Sequence, residues 1–424
     1  MVSRMQFKGW PILLTIVLVL ILQLVSPAQI WTMLFIGFGL MLLVAYFWAK
    51  SLKNGFLLTR ERRYGMAQVG DRVEERFTIQ KTGMLPALWV EIIDHSNLPE
   101  YSASQVRGLG TTMQTRWQTE MICTRRGVYQ LGPLDVSLGD PFGLFKVEQH
   151  YPNMVDFTVT PSILPLPNIE VTSRGHVGEG APRPYNLAPT EPASTVRAYT
   201  PADSLNRVHW PTTARRESLY VKGLQEPTSG DWWLALDLDQ SAHTGVDQTS
   251  TLETGVLIAA SLVDQGLRDN QAVGLLAHSQ GAVWLPPKSS PLQRWQLLTT
   301  LARVQAGSLN LGHLLTRSHA LIKQNTSLIV ITPSLDSQWL DPLLMFKRQG
   351  VAPTIFLIYT DETRAGMQGL QQALILESVR SYLIEQASLT PPTAEELAGR
   401  WEDRVLATGR VVVTHRPKGE WETL

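Results

Sequence analysis

The chain has 424 residues, 44% hydrophobic and 17% charged, which suffices for two or three domains with cores of their own. Its 37 Lys and Arg are matched by 37 Asp and Glu, so no global field recruits nucleic acid or anionic lipid. A single cysteine, Cys123, excludes an intrachain disulfide framework and fits a reducing compartment.

Between Trp10 and Trp48 there is no charged residue, and Ser26-Pro27-Ala28-Gln29 breaks the run in its middle. A bilayer core needs ~20 apolar residues per helix, so the run predicts a transmembrane helical hairpin over residues 1–50. A cleaved signal peptide fits less well, because the second apolar run follows the first directly. Arg4 and Lys8 precede the hairpin, and Lys50, Lys53, Arg60, Arg62 and Arg63 follow it, whereas the turn carries none. The positive-inside rule then places both ends in the cytoplasm, making this a multi-pass cell-membrane protein with cytosolic domains.

Residues 60–167 read as a small β-sandwich. Short β-type runs at 72–79, 87–93, 114–123, 127–131 and 157–161 alternate with Gly and Pro, and helical periodicity is scarce. Cys123 reads as a small buried residue at a strand end. The segment from Gly139 to Phe145 reads as a turn whose Phe142 and Phe145 plug the sandwich. Pro161 to Pro192 is rich in Pro and Gly and opens a linker and connector over 168–230.

The connector crowds together Arg197, Tyr199, Asp203, Arg207, His209, Trp210 and Arg215. Its cations, with Arg216 and Lys222, could meet on an anion or a partner's carboxylates. Equally, Asp203 could pair with an arginine while Tyr199 and Trp210 anchor the connector on the following sheet. The apolar run Trp232 to Leu236 then opens onto Asp237, Asp239 and Ser241, the pattern of a buried strand delivering polar groups to a loop. Beyond it, strand patterns at 232–237, 272–277, 328–331 and 354–359 alternate with helix patterns at 250–267, 292–304, 311–322 and 340–348. Strands spaced by helices predict a mostly parallel, doubly wound α/β domain over 231–424. Its tail reads as a helix over 393–406 and a last strand over 411–414.

Two segments carry a family resemblance. One is CTRRGVYQLGPLDVSLGDPFGLFKVEQ, from Cys123 to Gln149, and the other is the ordered set Arg197, Tyr199, Pro201, Asp203, Arg207, His209, Trp210, Ala214 and Arg215. Together they resemble the domain of unknown function 58 family, membrane proteins whose C-terminal half resembles a von Willebrand factor A domain. The chain departs from that pattern at Ala202, where Gly is usual, and at Pro211, where Lys is common. The resemblance implies a von Willebrand factor A-like α/β domain after the β-sandwich. It also implies association with a MoxR-type AAA+ ATPase, the connector residues forming the partner surface. In von Willebrand A domains an Asp-x-Ser-x-Ser strand end, with a Thr and an Asp from later loops, holds a divalent cation through hard oxygens. Here the strand ends Asp237-Leu238-Asp239-Gln240-Ser241, Ser308 is the hydroxyl near the Thr loop, and Thr332-Pro333-Ser334 stands where the last Asp would follow. The implied magnesium site, Asp237, Asp239 and Ser241, is therefore degenerate, and its acids could instead cap loops and helices.

Enzymatic readings compete for the same residues. Asp237-x-Asp239 is also the strand end of haloacid-dehalogenase-type phosphatases, whose first acid attacks phosphorus. That chemistry needs a later acidic pair for magnesium, for which Asp361-Glu362 is a poor substitute. Ala277-His278-Ser279-Gln280-Gly281 is close to a nucleophile elbow, but the β-like, proline-terminated run that follows fits a hairpin turn. No Gly-x-x-x-x-Gly-Lys-Ser/Thr loop occurs. The sequence thus favours a non-enzymatic, membrane-anchored, cytosol-facing interaction adaptor. A phosphatase-like hydrolase and a structural envelope component are the alternatives.

Overall fold

The computed structural model describes residues 2–62, 65–83, 85–109, 114–166, 171, 195–199, 208–216, 218–223, 231–324 and 326–389, with short strands at 404–405, 411–412 and 422–423. The chain folds into two compact units. One is Met1–Ser162, Thr299–Arg303 and Pro391–Leu424; the other is Ile163–Leu298 and Val304–Thr390.

The first unit begins with a strand, β1 (Val2–Phe7), that the sequence patterns did not announce. Helix α1 (Trp10–Val25) and helix α2 (Gln29–Gly55) follow, parted by the Ser-Pro break. Proline rigidity and the missing N–H at that break make a continuous helix unfavourable. Helix α2 has a mean hydropathy of 2.1 over its most apolar window, only 6% of which is buried. It is long and apolar enough to cross a membrane, whereas α1 is shorter at 16 residues. Only the last turns of α2 enter the fold: Ala45, Ala49 and Leu52 recur at helical spacing and are buried.

The strands that follow are β2 (Phe56–Arg62), β3 (Met66–Gln68), β4 (Arg72–Lys81), β5 (Val90–Asp94), β6 (Gln105–Arg107), β7 (Gln114–Ile122), β8 (Gly127–Leu131), β9 (Leu134–Gly139), β10 (Phe145–Tyr151) and β11 (Val155–Thr160). They form an antiparallel sheet β1-β10-β9-β5-β6, an antiparallel ladder β2-β4-β7 edged by Glu422–Thr423, and a small sheet β3-β11-β8. Period-two alternation along β4 turns Val73, Glu75, Phe77 and Ile79 inward. Glu75 can be buried there because Arg60 of β2 binds it at 2.7 Å and the Tyr101 hydroxyl donates to it. The Arg60 guanidinium lies over Phe77, which stacks on Trp117 with centroids 5.3 Å apart. Cys123 is buried, and desolvation pushes its thiol up to about 12, so it is inert packing.

The turn before β10 corrects one expectation. Phe142 is 48% exposed, whereas Phe145, partly buried, packs against the sandwich core as expected; Leu144 beside it is buried next to Gly9. The buried Asp140 carboxylate accepts from the amides of Phe142 at 2.9 Å and Phe145 at 2.5 Å. That closes the turn with Phe142 on the outside.

In the second unit, β12 (Thr195–Ala198) and β13 (Tyr220–Gly223) form an antiparallel pair with helix α3 (Trp210–Arg216) between them in sequence. The main sheet comprises β14 (Trp232–Leu236), β15 (Val273–His278), β16 (Ala282–Lys288), β17 (Ser327–Thr332), β18 (Ala352–Tyr359) and β19 (Arg380–Glu385). Its order is β16-β15-β14-β17-β18-β19, every pair parallel except β15 with β16. The helices are α4 (Thr251–Arg268), α5 (Pro291–Arg303), α6 (Leu311–Ser318), α7 (Leu340–Arg348) and α8 (Arg364–Leu376). Trp233, Ala235, Leu328, Val330, Ile355 and Leu357 pack with α6, α7 and α8 in one core. Leu236, Ile331 and Ile358, of opposite pleat parity, face Gly255 of α4. Both faces are thus covered, as the continuous apolar strands require.

Helix α6 ends at Ser318, four residues short of its sequence pattern, and α8 and β19 lie outside the predicted elements. Of the predicted tail helix, Arg404–Val405 is instead a strand paired with Val411–Val412, and the rest lies outside the described residues. That pairing agrees with the last strand expected at 411–414.

Candidate functional site

The order of the main sheet fixes where a site belongs. From β14 the chain moves one way to β15 and later returns to the other side as β17, so the crevice beyond the carboxyl end of β14 is a topological switch point. Asp237 is the first residue there. Its amide donates to the Ile331 carbonyl at 3.0 Å, extending the ladder by one step and carrying the side chain into the protein.

Asp237 is 1% exposed. One carboxyl oxygen accepts from the Thr332 hydroxyl at 2.6 Å and the other from the Asp239 amide at 3.1 Å. Burial raises its pKa to about 6; the two hydrogen bonds pull it back and the Asp239 carboxylate pushes it further up. The Asp239 carboxylate accepts from the Ser241 amide at 3.0 Å, making an Asx turn. Gln240 donates to the Gly307 carbonyl at 2.9 Å and Gly307 to the Leu238 carbonyl at 2.7 Å, so two loops are laced together. A Cβ at Gly307 would stand 2.2 Å from the His278 carbonyl oxygen, which explains glycine there. His243 braces the loop from behind, its Nε2 at 3.0 Å from the Asp237 carbonyl oxygen and its Nδ1 at 3.1 Å from the Thr251 hydroxyl. Desolvation lowers its pKa, so the ring is held neutral with Nε2–H donating.

Beside this loop lies a recess of about 780 Å³, lined among others by Asp239, Ser241, Ser308, Asn310, His313 and Arg317. Helix α6 builds its far wall. Leu311, Leu314, Leu315 and Ser318 face the core, and the helical period leaves Asn310, His313 and Arg317 together on the polar face. Asn310 caps the helix by accepting from the His313 amide at 2.9 Å.

The structure therefore gathers Asp237, Asp239, Ser241, Ser308 and Thr332, the residues expected at the degenerate cation site, on one sheet edge. Their oxygens are the hard donors magnesium prefers. The groups acting on the buried Asp237 carboxyl are two hydrogen-bond donors and another carboxylate, none of them cationic. A divalent cation is the counter-charge such a carboxyl accepts. Among the described residues no group of three or more His, Cys, Asp and Glu side chains is arranged to hold a metal, so hydroxyls and water would complete the shell.

The connector residues are placed less completely. Arg197 lies on β12 opposite Val221, and Asp203 and Arg207 lie outside the described residues. Tyr199 donates its amide to the Leu219 carbonyl at 2.8 Å, and His209 donates its amide to the Tyr220 carbonyl at 2.7 Å. The His209 ring meets the Thr212 hydroxyl at 2.8 Å. Trp210 is exposed, as is Arg215, while Arg216 binds and lies over Tyr220. Ser279, the serine of the elbow-like pentapeptide, sits in the β15–β16 hairpin with its hydroxyl donating to the Gln305 carbonyl. A strand follows that serine where a nucleophile elbow needs a helix. Asp361 and Glu362 are exposed in the loop after β18. Sequence reasoning missed His243, His313 and Arg317; the polar spacing 310, 313, 317 within an apolar helix was the available signal.

Residues 195–356 match the family model described as protein of unknown function DUF58. No curated protein matches the chain. Among solved structures, the crystal structure of the CARDB domain of the PF1109 protein from Pyrococcus furiosus, in complex with di-metal ions, is 12% identical, with 25% of this chain and 94% of that chain covered and a TM-score of 0.18. The solution NMR structure of the same domain gives 10% identity, 25% and 95% coverage and a TM-score of 0.17. A β-glucuronidase from Bifidobacterium dentium gives 10% identity, 78% and 52% coverage and a TM-score of 0.16. At such scores none of the three carries an argument about fold or function.

Proposed function

We propose, from the membership of residues 195–356 in the DUF58 family, that the chain is a membrane-anchored adaptor whose α/β domain engages a protein partner at the Asp237 edge. The observation that carries this reading is the switch-point loop itself. Asp237, Asp239, Ser241 and Ser308 are presented beside an open recess, with Asp239 and Gln240 tied to the Gly307 loop by backbone bonds. The sheet order, with one antiparallel strand, β16, at the edge, supports a von Willebrand factor A-like domain, and the oxygen donors support a magnesium ion held by Asp237, Asp239 and Ser241. The partner we propose is a MoxR-type AAA+ ATPase, the association that the family resemblance implies.

The anchor is a two-span hairpin. Strand β1 before α1 pairs with β10 after α2, with Met5 opposite Val147. The two flanks of the hairpin thus meet in one sheet, which supports an even number of crossings and, with the basic flanks, cytosolic domains.

The test is capture of the tagged full-length chain from native membranes in mild detergent with magnesium and ATP. Co-elution of an AAA+ ATPase, lost when Asp237 and Asp239 are both replaced by Ala in a chain that stays folded, is the expected result. Undiminished recovery with that variant, or no ATPase with the unaltered chain, would sink the assignment.

A further inference from the structure

The recess beside Asp239 has a feature that the metal-type residues do not account for. Arg317 lines it, is exposed, and forms no hydrogen bond or ion pair among the described residues. His313 stands one turn earlier on the same face, and Ser308 and Ser241 also line the recess. Side chains able to donate therefore outnumber acceptor-only groups around the recess, and its one guanidinium is uncommitted.

We propose that Arg317 is the receptor for a carboxylate side chain of the partner protein, an Asp or Glu that enters the recess and is gripped by the guanidinium, with the Ser308 hydroxyl as a flanking donor. This rests on the reading of the Asp237 edge as an interaction surface and names what that surface recognises. Three observations favour a carboxylate over a phosphate. The planar guanidinium fork matches a carboxylate two bonds at a time. The helix end that might add amide donors for a dianion has the His313 amide already taken by the Asn310 cap. Finally, Asp239 lines the same recess and repels a dianion more than a monoanion. Arg317 and Asp239 share the recess without pairing, so the guanidinium is left for an incoming acid.

The experiment is fluorescence anisotropy with the full-length chain in detergent and a fluorescein-labelled peptide alternating Glu and Gly, beside Gln–Gly and phosphoserine–Gly counterparts of equal length. The Glu peptide binds, the Gln peptide does not, and Arg317→Gln weakens the Glu peptide at least about tenfold, the loss expected for a charge-assisted hydrogen-bond pair. Arg317→Lys, which keeps the charge but not the fork, falls between. Equal binding by Arg317→Gln, no binding by the unaltered chain, or tighter binding of the phosphoserine peptide would each overturn the carboxylate assignment. The ATPase capture separates the two ideas. Capture that survives Arg317→Gln while peptide binding is unmoved leaves the edge intact and removes this inference. An Arg317-dependent peptide in a chain that captures no ATPase does the reverse.

Discussion

Asp237 is a carboxyl whose environment opposes its charge. Its folded pKa of about 6 lies above the ordinary carboxylate value, so its contribution to stability is fully present below about pH 4 and lost as pH rises through about 6. In chelator-treated protein the unfolding free energy should therefore fall across that window by on the order of 3 kcal/mol. Asp237→Asn should flatten the dependence, and magnesium should restore stability to the unaltered chain but not to the variant. A pH profile identical in both proteins would show that the carboxyl is not strained by burial. Part of this was legible in the sequence: an apolar strand running into Asp-x-Asp-x-Ser delivers those polar groups to a loop, whereas the burial of the first acid appears only in the fold. What was not legible was Thr332 as the hydroxyl bonded to Asp237, since residues 95 positions apart meet only through strand pairing.

The elements show where periodicity suffices and where it fails. Strands β14, β17 and β18 carry long apolar runs and lie inside the sheet, so composition placed them. Strand β1 escaped because its pattern is mixed, and it is ordered by pairing with β10 rather than by its own burial. At the turn before β10 two aromatics suggested a plug, yet Asp140 fixes the backbone so that Phe145 alone packs on the core and Phe142 stays outside. The ladder of β2 and β4 rests on a buried ion pair, Arg60 with Glu75, which no alternation rule foresees. Glu75→Ala should cost about 3–5 kcal/mol, because it leaves the buried guanidinium only the longer contact to Asp94 at 3.6 Å, whereas replacing both Arg60 and Glu75 by apolar residues should cost less, Asp94 alone then losing its cation. Urea unfolding of the single and double variants measures this directly. A single variant as stable as the double would contradict it.

At the level of the whole chain, an apolar N-terminal segment with one helix long enough to cross a membrane opens the first of two compact units. The second of these carries most of the segment that matches the DUF58 family model. Charge balance and periodicity gave the order of these parts. The partner surface was harder to read, because Asn310, His313 and Arg317 acquire meaning only once α6 is folded beside the Asp237 loop. The connector contributes described contacts mainly within itself, among Tyr199, His209, Thr212, Leu219 and Tyr220. The central claim is that the carboxyl edge of the main sheet is where a partner docks. The most direct measurement is site-specific photocrosslinking in native membranes, with the reactive side chain placed at Ser241 and, for comparison, at the exposed Leu376 that ends α8. The account predicts an AAA+ ATPase crosslinked from position 241 and not from 376, whereas crosslinks from 376 alone, or from neither position, would contradict it.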